Sequence, residues 1–133
     1  MASLFQRTAE RHADLLYFFF RVLTGFLFLS HGLQKVGLLE GEFAVRGFIG
    51  FVGICELAGG LALILGLWTR LVAVLGTVLL LGAYITVHAG KGWLPLANKG
   101  ELALLYVAAF VILFIYGAGP WSLERSVWKK ESF

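Results

Sequence analysis

The chain has 133 residues, 59% of them hydrophobic and only 14% charged, with a mean hydropathy of +0.86. A soluble domain is roughly half apolar and about a quarter charged, so this composition leaves too little polar surface for a water-soluble fold. The formal net charge of +3 is scattered between apolar runs, which excludes a nucleic-acid footprint.

A spanning helix needs ~20 mostly apolar residues to cross about 30 Å of hydrocarbon. The first such stretch runs from about Leu15 to Leu33 and carries one charge, Arg21. Arg7 and Arg11 precede it in the manner of a signal peptide. Arg21 interrupts the run, no A-x-A-like site follows, and three more spans come after, so the segment reads as a retained helix. Arg21, Gly25, Phe28, Gly32 and Lys35 recur at alternating intervals of four and three and share one helix face. The glycines admit a close neighbour. Arg21 and Lys35 mark the ends of the stripe, either as functional cations or as side chains that snorkel to the two interfaces.

The second stretch, about Gly47 to Leu67, contains Glu56. Gly53 and Gly60 lie on the same face, and small residues signal close helix packing, so Glu56 is expected to point into the bundle. An ionisable group at mid-helix costs on the order of 2.5–3.5 kcal/mol on insertion scales, so a buried carboxylate must be paired or protonated. Arg21 is the predicted partner, in a salt bridge that is structural or that serves a proton- or ligand-handling carboxylate. Cys55, the single cysteine, cannot form an internal disulfide or a CxxC pair. In its apolar setting it reads as a packing residue, though it leaves room for an intermolecular disulfide or a reactive thiol.

Gly66-Leu67-Trp68-Thr69-Arg70 predicts a tight turn into the third stretch, about Leu71 to Val87, which has no charge. His88 follows at its end. Gly90-Lys91-Gly92-Trp93-Leu94-Pro95 breaks the chain before the fourth stretch, about Glu101 to Gly117. Asn98-x-x-Glu101 has the form of a capping box. Tyr84 and Tyr106 read as interfacial belt residues or as phenols with a chemical role. Gly117-Ala118-Gly119-Pro120 stops the fourth helix, and Ser122 can cap a short final helix whose Trp121 and Trp128 suit the membrane interface.

The predicted fold is therefore all-α: residues 1–133 form a single membrane domain, an up-down antiparallel four-helix bundle with a short C-terminal interfacial helix. Arg7, Arg11, Arg70, Arg125, Lys129 and Lys130 fall on one side, against Lys35, Arg46, Lys91 and Lys99 on the other. That asymmetry places both termini in the cytoplasm. It also brings His31, Gln34, Lys35, His88 and Glu101 to the outer end, where imidazole and carboxylate groups suit proton transfer to a quinone or phenol, or metal coordination. His88 has an interfacial reading as well. Two histidines on different helices are by themselves weak ground for a haem, and no convincing metal set is present.

Several of these pieces resemble the DoxX family of small four-helix membrane proteins. They are Arg21 with Gly25 and Phe28, His31-Gly32-Leu33-Gln34-Lys35, Glu56-Leu57-Ala58-Gly59-Gly60 and Gly66-Leu67-Trp68-Thr69-Arg70. Lys99-Gly100-Glu101 with Tyr106 and Gly117-Ala118-Gly119-Pro120-Trp121-Ser122-Leu123 complete the set. Each piece is short and rich in glycine; their order and spacing over four spans give the specificity. One departure is that Ser122-Leu123 is followed by Glu124 where the family often has Asp. The resemblance implies a bundle in the bacterial inner membrane and a link to redox chemistry, since members include a subunit of a thiosulfate:quinone oxidoreductase and proteins tied to oxidative stress. It carries no agreed catalytic set.

The resulting expectation is a quinone-linked subunit of a membrane oxidoreductase or oxidative-stress system. Glu56, His31, His88 and Glu101 would handle protons, while Arg21, Gln34 and Lys35 would bind an anion or carbonyl. Gly25, Gly32, Gly53 and Gly60 would pack helices. With no dinucleotide fingerprint and no CxxC, the electron carrier would come from a redox partner subunit. Besides the lipid bilayer, the other partner this reading admits is a second copy in a homo-oligomer. The alternatives are a small proton-coupled transporter or channel, and a non-catalytic scaffold in which Arg21 and Glu56 only fix helix register.

Overall fold

The computed structural model describes residues 3–39, 43 and 45–129; Lys130 of the charge pattern lies outside them. The fold is all-helical, 77% helix, with no strand among the described residues. A short helix α1 (Leu4–Arg11) begins at Ser3, whose hydroxyl accepts from Gln6 N. The bundle is built from α2 (Ala13–Lys35), α3 (Gly47–Leu65), α4 (Thr69–Ala83) and α5 (Glu101–Tyr116). A last short helix, α6 (Leu123–Trp128), is capped by Ser122 Oγ accepting from Arg125 N at 3.3 Å. The helix α1 was not foreseen, because its eight residues carry too few apolar side chains to register as a span.

Gly37 and Gly66 end α2 and α3 in the left-handed region, at φ 75° and 68°. There the N–H of the following residue reaches back five positions, Leu38 to Leu33 and Leu67 to Ala62, and satisfies a terminal carbonyl. The turn after α3 is shorter than expected: Thr69 and Arg70 already belong to α4. At its far end α4 runs on through a π-helical turn, Tyr84–His88, and a 3-10 turn, Ala89–Lys91. Three of the helical stretches are long and apolar enough to span a bilayer, and α5 is shorter.

The bundle is two tight helix pairs laid together. In the α2–α3 pair, glycines bring backbone to backbone: a Cβ on Gly25 would lie 2.8 Å from Gly60 O, and one on Gly32 would lie 2.7 Å from Gly53 O. Reciprocally, a Cβ on Gly60 would lie 2.5 Å from Leu29 N. In the α4–α5 pair, the Phe110 ring rests on Gly76. Where the pairs meet, Phe28, Leu63, Ala73, Leu80, Tyr106, Phe110 and Leu113 form the core. Helices α1 and α6 and the α3–α4 turn share one end of the bundle, called here the terminal end. The α2–α3 and α4–α5 connections share the other, the loop end.

Candidate functional site

At the loop end the two pairs diverge around a cavity of about 780 Å³. Apolar side chains, among them Phe28, Ile49, Val52 and Leu79, form most of its wall, and its polar lining comprises His31, Lys35, Glu56, Thr86, His88, Lys99 and Tyr106.

Glu56 projects from the buried face of α3, and its side chain is only 4% exposed. Its partner is Lys35, not Arg21. The Lys35 ammonium donates to both carboxylate oxygens, at 2.8 and 2.6 Å, and its own side chain is 29% exposed. The glycine register explains the correction. Arg21 lies against Gly66, ~15 Å from Glu56 along α3 by helical rise. Lys35, on the last turn of α2, can reach back along its flexible stem. Two opposite charges with the carboxylate satisfied meet the requirement for burying ions in an apolar setting.

His31 is half-buried, its ring nearly perpendicular to that of Tyr106 at 5.8 Å between centroids and 79°. It makes no hydrogen bond among the described residues. His88 closes the π-helical turn, and its Nδ1 lies 2.9 Å from the carbonyl of Asn98. A carbonyl only accepts, so Nδ1 carries the proton and Nε2 is left as an acceptor in the neutral ring. The ring also stacks on Tyr84.

The remaining candidates stand elsewhere. Arg21, 1% exposed, is at the terminal end, where Nη1 donates to Ala118 O at 2.6 Å and Nη2 to Trp121 O at 2.8 Å. Gln34 is exposed on α2 and does not line the cavity. Glu101, predicted to join the site, is exposed at the start of α5 and also stands outside the lining. The Asn98–Glu101 capping box does not form, because Asn98 is two residues too early and is 1% exposed. Its Oδ1 accepts from Gly100 N, and its Nδ2 donates to Gly92 O at 2.8 Å and Tyr84 OH at 3.2 Å. Asn98 thus staples the α4–α5 loop across the cavity's rim, beside Lys99 with its φ of 60°.

Tyr106 is the functional candidate that the belt reading of aromatic residues obscures. It is 7% exposed and packs against Phe28 and Phe110. The signal for its burial was the spacing of Tyr106, Phe110 and Leu113, four and then three, which puts them on one helix face. Lys99 and Thr86 carried no comparable signal. Among the described residues no three His, Cys, Asp or Glu side chains group as a metal site would require.

This geometry offers a mostly apolar chamber with two cations, a carboxylate, two imidazoles and a phenol in its lining, a donor and acceptor set suited to a small ring with polar edges.

Comparison with known proteins fits the architecture. The DoxX family model matches residues 16–89. An uncharacterized protein of Haemophilus influenzae is 36% identical over 91% of this chain and 97% of its own length. A Bacillus subtilis protein named "Putative oxidoreductase CatD" is 34% identical over 82% of this chain and 84% of its own. An uncharacterized membrane protein of Mycobacterium tuberculosis is 29% identical, covering 83% and 80%. No solved structure matches. With its four-helix membrane architecture and its match to the family model over more than half its length, the chain belongs to the DoxX family.

Proposed function

We propose that this DoxX-family membrane protein is the quinone-binding subunit of an oxidoreductase system, with its cavity as the quinone site. The observation that carries this reading is the 780 Å³ apolar cavity with Lys35, Glu56, His31 and His88 all in its lining. The residues fit a quinone head. Lys35 has an N–H to offer a carbonyl oxygen, His88 Nε2 can accept from a hydroxyl, and the wall takes the ring.

A quinone supplies two-electron chemistry coupled to two protons. The electrons belong to a partner protein; the name of the Bacillus subtilis relative, a putative oxidoreductase, supports redox chemistry. Within this chain, Glu56 and His31 hold protons at the cavity wall, while Lys35 fixes the orientation of the bound ring and keeps the carboxylate in place. The basic residues gathered at the terminal end, Arg7, Arg11, Arg70, Arg125 and Lys129, favour that end in the cytoplasm. We therefore place the protein in the bacterial inner membrane with the cavity facing outward.

The test is native mass spectrometry of the protein extracted gently from its own membranes. The parent chain is expected to retain a quinone, and Glu56→Gln to lose about nine-tenths of it or more while still folded, a tenfold loss corresponding to ~1.4 kcal/mol. Equal retention by the two proteins, or no quinone on either, overturns the assignment.

A further inference from the structure

At the rim of the cavity one side chain ties three pieces of chain together. Asn98 is 1% exposed. Its Nδ2 donates to Gly92 O at 2.8 Å and to Tyr84 OH at 3.2 Å, while its Oδ1 accepts from Gly100 N at 2.8 Å. Gly100 sits so near Tyr84 that an added Cβ would lie 2.5 Å from the ring. With its side chain so held, the backbone carbonyl of Asn98 is fixed in place, and His88 Nδ1 donates to it at 2.9 Å.

The helix that carries His88 is altered to the same end. Ala73, Gly76 and Leu80 are buried along one face of α4. An unbroken α-helix would bring Val87, seven residues past Leu80, to that face. The π-helical turn over Tyr84–His88 closes i→i+5 bonds and takes up about one extra residue. The face therefore moves on by one position: Val87 is 46% exposed, whereas His88 is half-buried with its ring stacked on Tyr84. Wide turns of this kind are rare and frequently lie at functional sites.

The backbone register and the Asn98 knot thus converge on one imidazole in the cavity's lining. The other ionisable groups there are differently placed. Both oxygens of Glu56, on α3, are taken by Lys35 of α2. His31, also on α2, has no hydrogen bond to fix its tautomer among the described residues. Lys99 of the loop and Tyr106 of α5 complete the set, and among the described residues His88 bonds to none of these groups.

We propose that His88 takes the proton of the ligand in the cavity, and that Asn98 is its positioning residue. With Nδ1–H held on the Asn98 carbonyl, Nε2 is the acceptor of the neutral ring. His88 Nε2 takes the proton of a ligand hydroxyl, and the imidazolium still donates from Nδ1 to the carbonyl. The electron pair of the broken O–H bond stays on the oxygen, whose charge the Lys35 and Lys99 ammonium groups offset. His88 then gives the Nε2 proton to water at the loop end, beside the exposed Ala89 and Gly90, and returns to the neutral ring. The ligand class is a ring that bears an acidic hydroxyl. This inference rests on the quinone reading of the cavity and adds to it the proton's acceptor and the residue that orients it.

Nitrogen-15 NMR of the histidine-labelled protein in lipid nanodiscs reads the tautomer directly, since the chain has only three histidines. His88→Gln removes one set of signals and so assigns it. In the parent protein His88 is expected to show a protonated Nδ1 and a bare Nε2. Methylhydroquinone, added without oxygen, should move the Nε2 signal and leave those of His12, on the far end of the bundle, unchanged. Asn98→Ala should leave His88 in a mixture of tautomers and weaken methylhydroquinone binding ~5- to 10-fold through the lost hydrogen bond. Exchanging two neighbours, Val87→His with His88→Val, keeps the composition but takes the imidazole off the face, and should cost as much.

Tautomer and affinity unchanged in both variants would show that the knot does not position the ring. A proton on Nε2 of His88 in the parent overturns the proposal without any variant, so a failure of Asn98→Ala to fold cannot hide the answer. Methylhydroquinone that binds but leaves Nε2 unmoved removes the role of His88 and spares the quinone reading. If methylhydroquinone does not bind the parent, the quinone reading fails and the proton role fails with it.

Discussion

The two ends of the bundle use similar chemistry for opposite purposes. At the terminal end, the Arg21 guanidinium is 1% exposed and two of its nitrogens donate to the carbonyls of Ala118 and Trp121. Gly66 presses on it so closely that any Cβ would collide with Nη1. Glu124 and Ser122 are buried alongside, and the backbone of Glu124 donates to Gly66 O at 3.4 Å. At the loop end, the Lys35 ammonium is spent on a carboxylate, and both groups border a cavity instead of protein. A charge whose donors end on backbone carbonyls fixes the path of the chain. A charge pair that borders a cavity is, in the proposed function, arranged for a ligand.

This contrast can be broken most directly at Arg21. Arg21→Met removes two charge-assisted hydrogen bonds, each worth about 1.5–3 kcal/mol, and strands two carbonyls. Unfolding in detergent should show a loss of ~3–5 kcal/mol, with the C-terminal segment becoming open to protease. A loss under ~1 kcal/mol would mean that the terminal end is not a lock.

Next in size is Gly60→Ala at the glycine seam. Its Cβ would lie 2.5 Å from Leu29 N, a backbone atom that cannot swing aside. The helices must separate, at about 1–3 kcal/mol, and the register that aligns Lys35 with Glu56 should loosen too. Unchanged stability would show that the seam gives more than its geometry indicates.

The smallest expected effect is at the loop end. Replacing the pair together, Lys35→Met with Glu56→Leu, should leave stability within ~1 kcal/mol of the parent, because removing both charges also removes their desolvation cost. Lys35→Met alone should be worse than the double variant, since it leaves a lone buried carboxylate. If the double variant unfolds as readily as Arg21→Met, the two ends do the same work and the contrast fails.

How far the sequence reached can be judged from particular residues. The four apolar stretches, the stripe Arg21–Gly25–Phe28–Gly32 and the cap at Ser122 were all legible, because helical period, span length and terminal capping are local properties. Glu56 was legible as an inward-facing carboxylate for the same reason. Its partner was not. Arg21 and Lys35 sit on the same face of α2, and only the antiparallel register of the glycine seam, which sets Gly25 on Gly60 and Gly32 on Gly53, brings Lys35 within reach. Asn98 shows the same limit: a capping box two positions early reads well in sequence, but the loop's own packing draws the side chain to Gly92, Gly100 and Tyr84.

By itself, then, the sequence determined that this protein lives in a membrane, how many helices form its bundle and which faces turn inward, since each follows from a repeat along one chain. Only the tertiary structure decided which cation meets Glu56, where the Asn98 side chain turns, and that the helix pairs part around a cavity. Those outcomes depend on how far two helices slide and splay against each other, which is set by backbone contacts between residues distant in the chain.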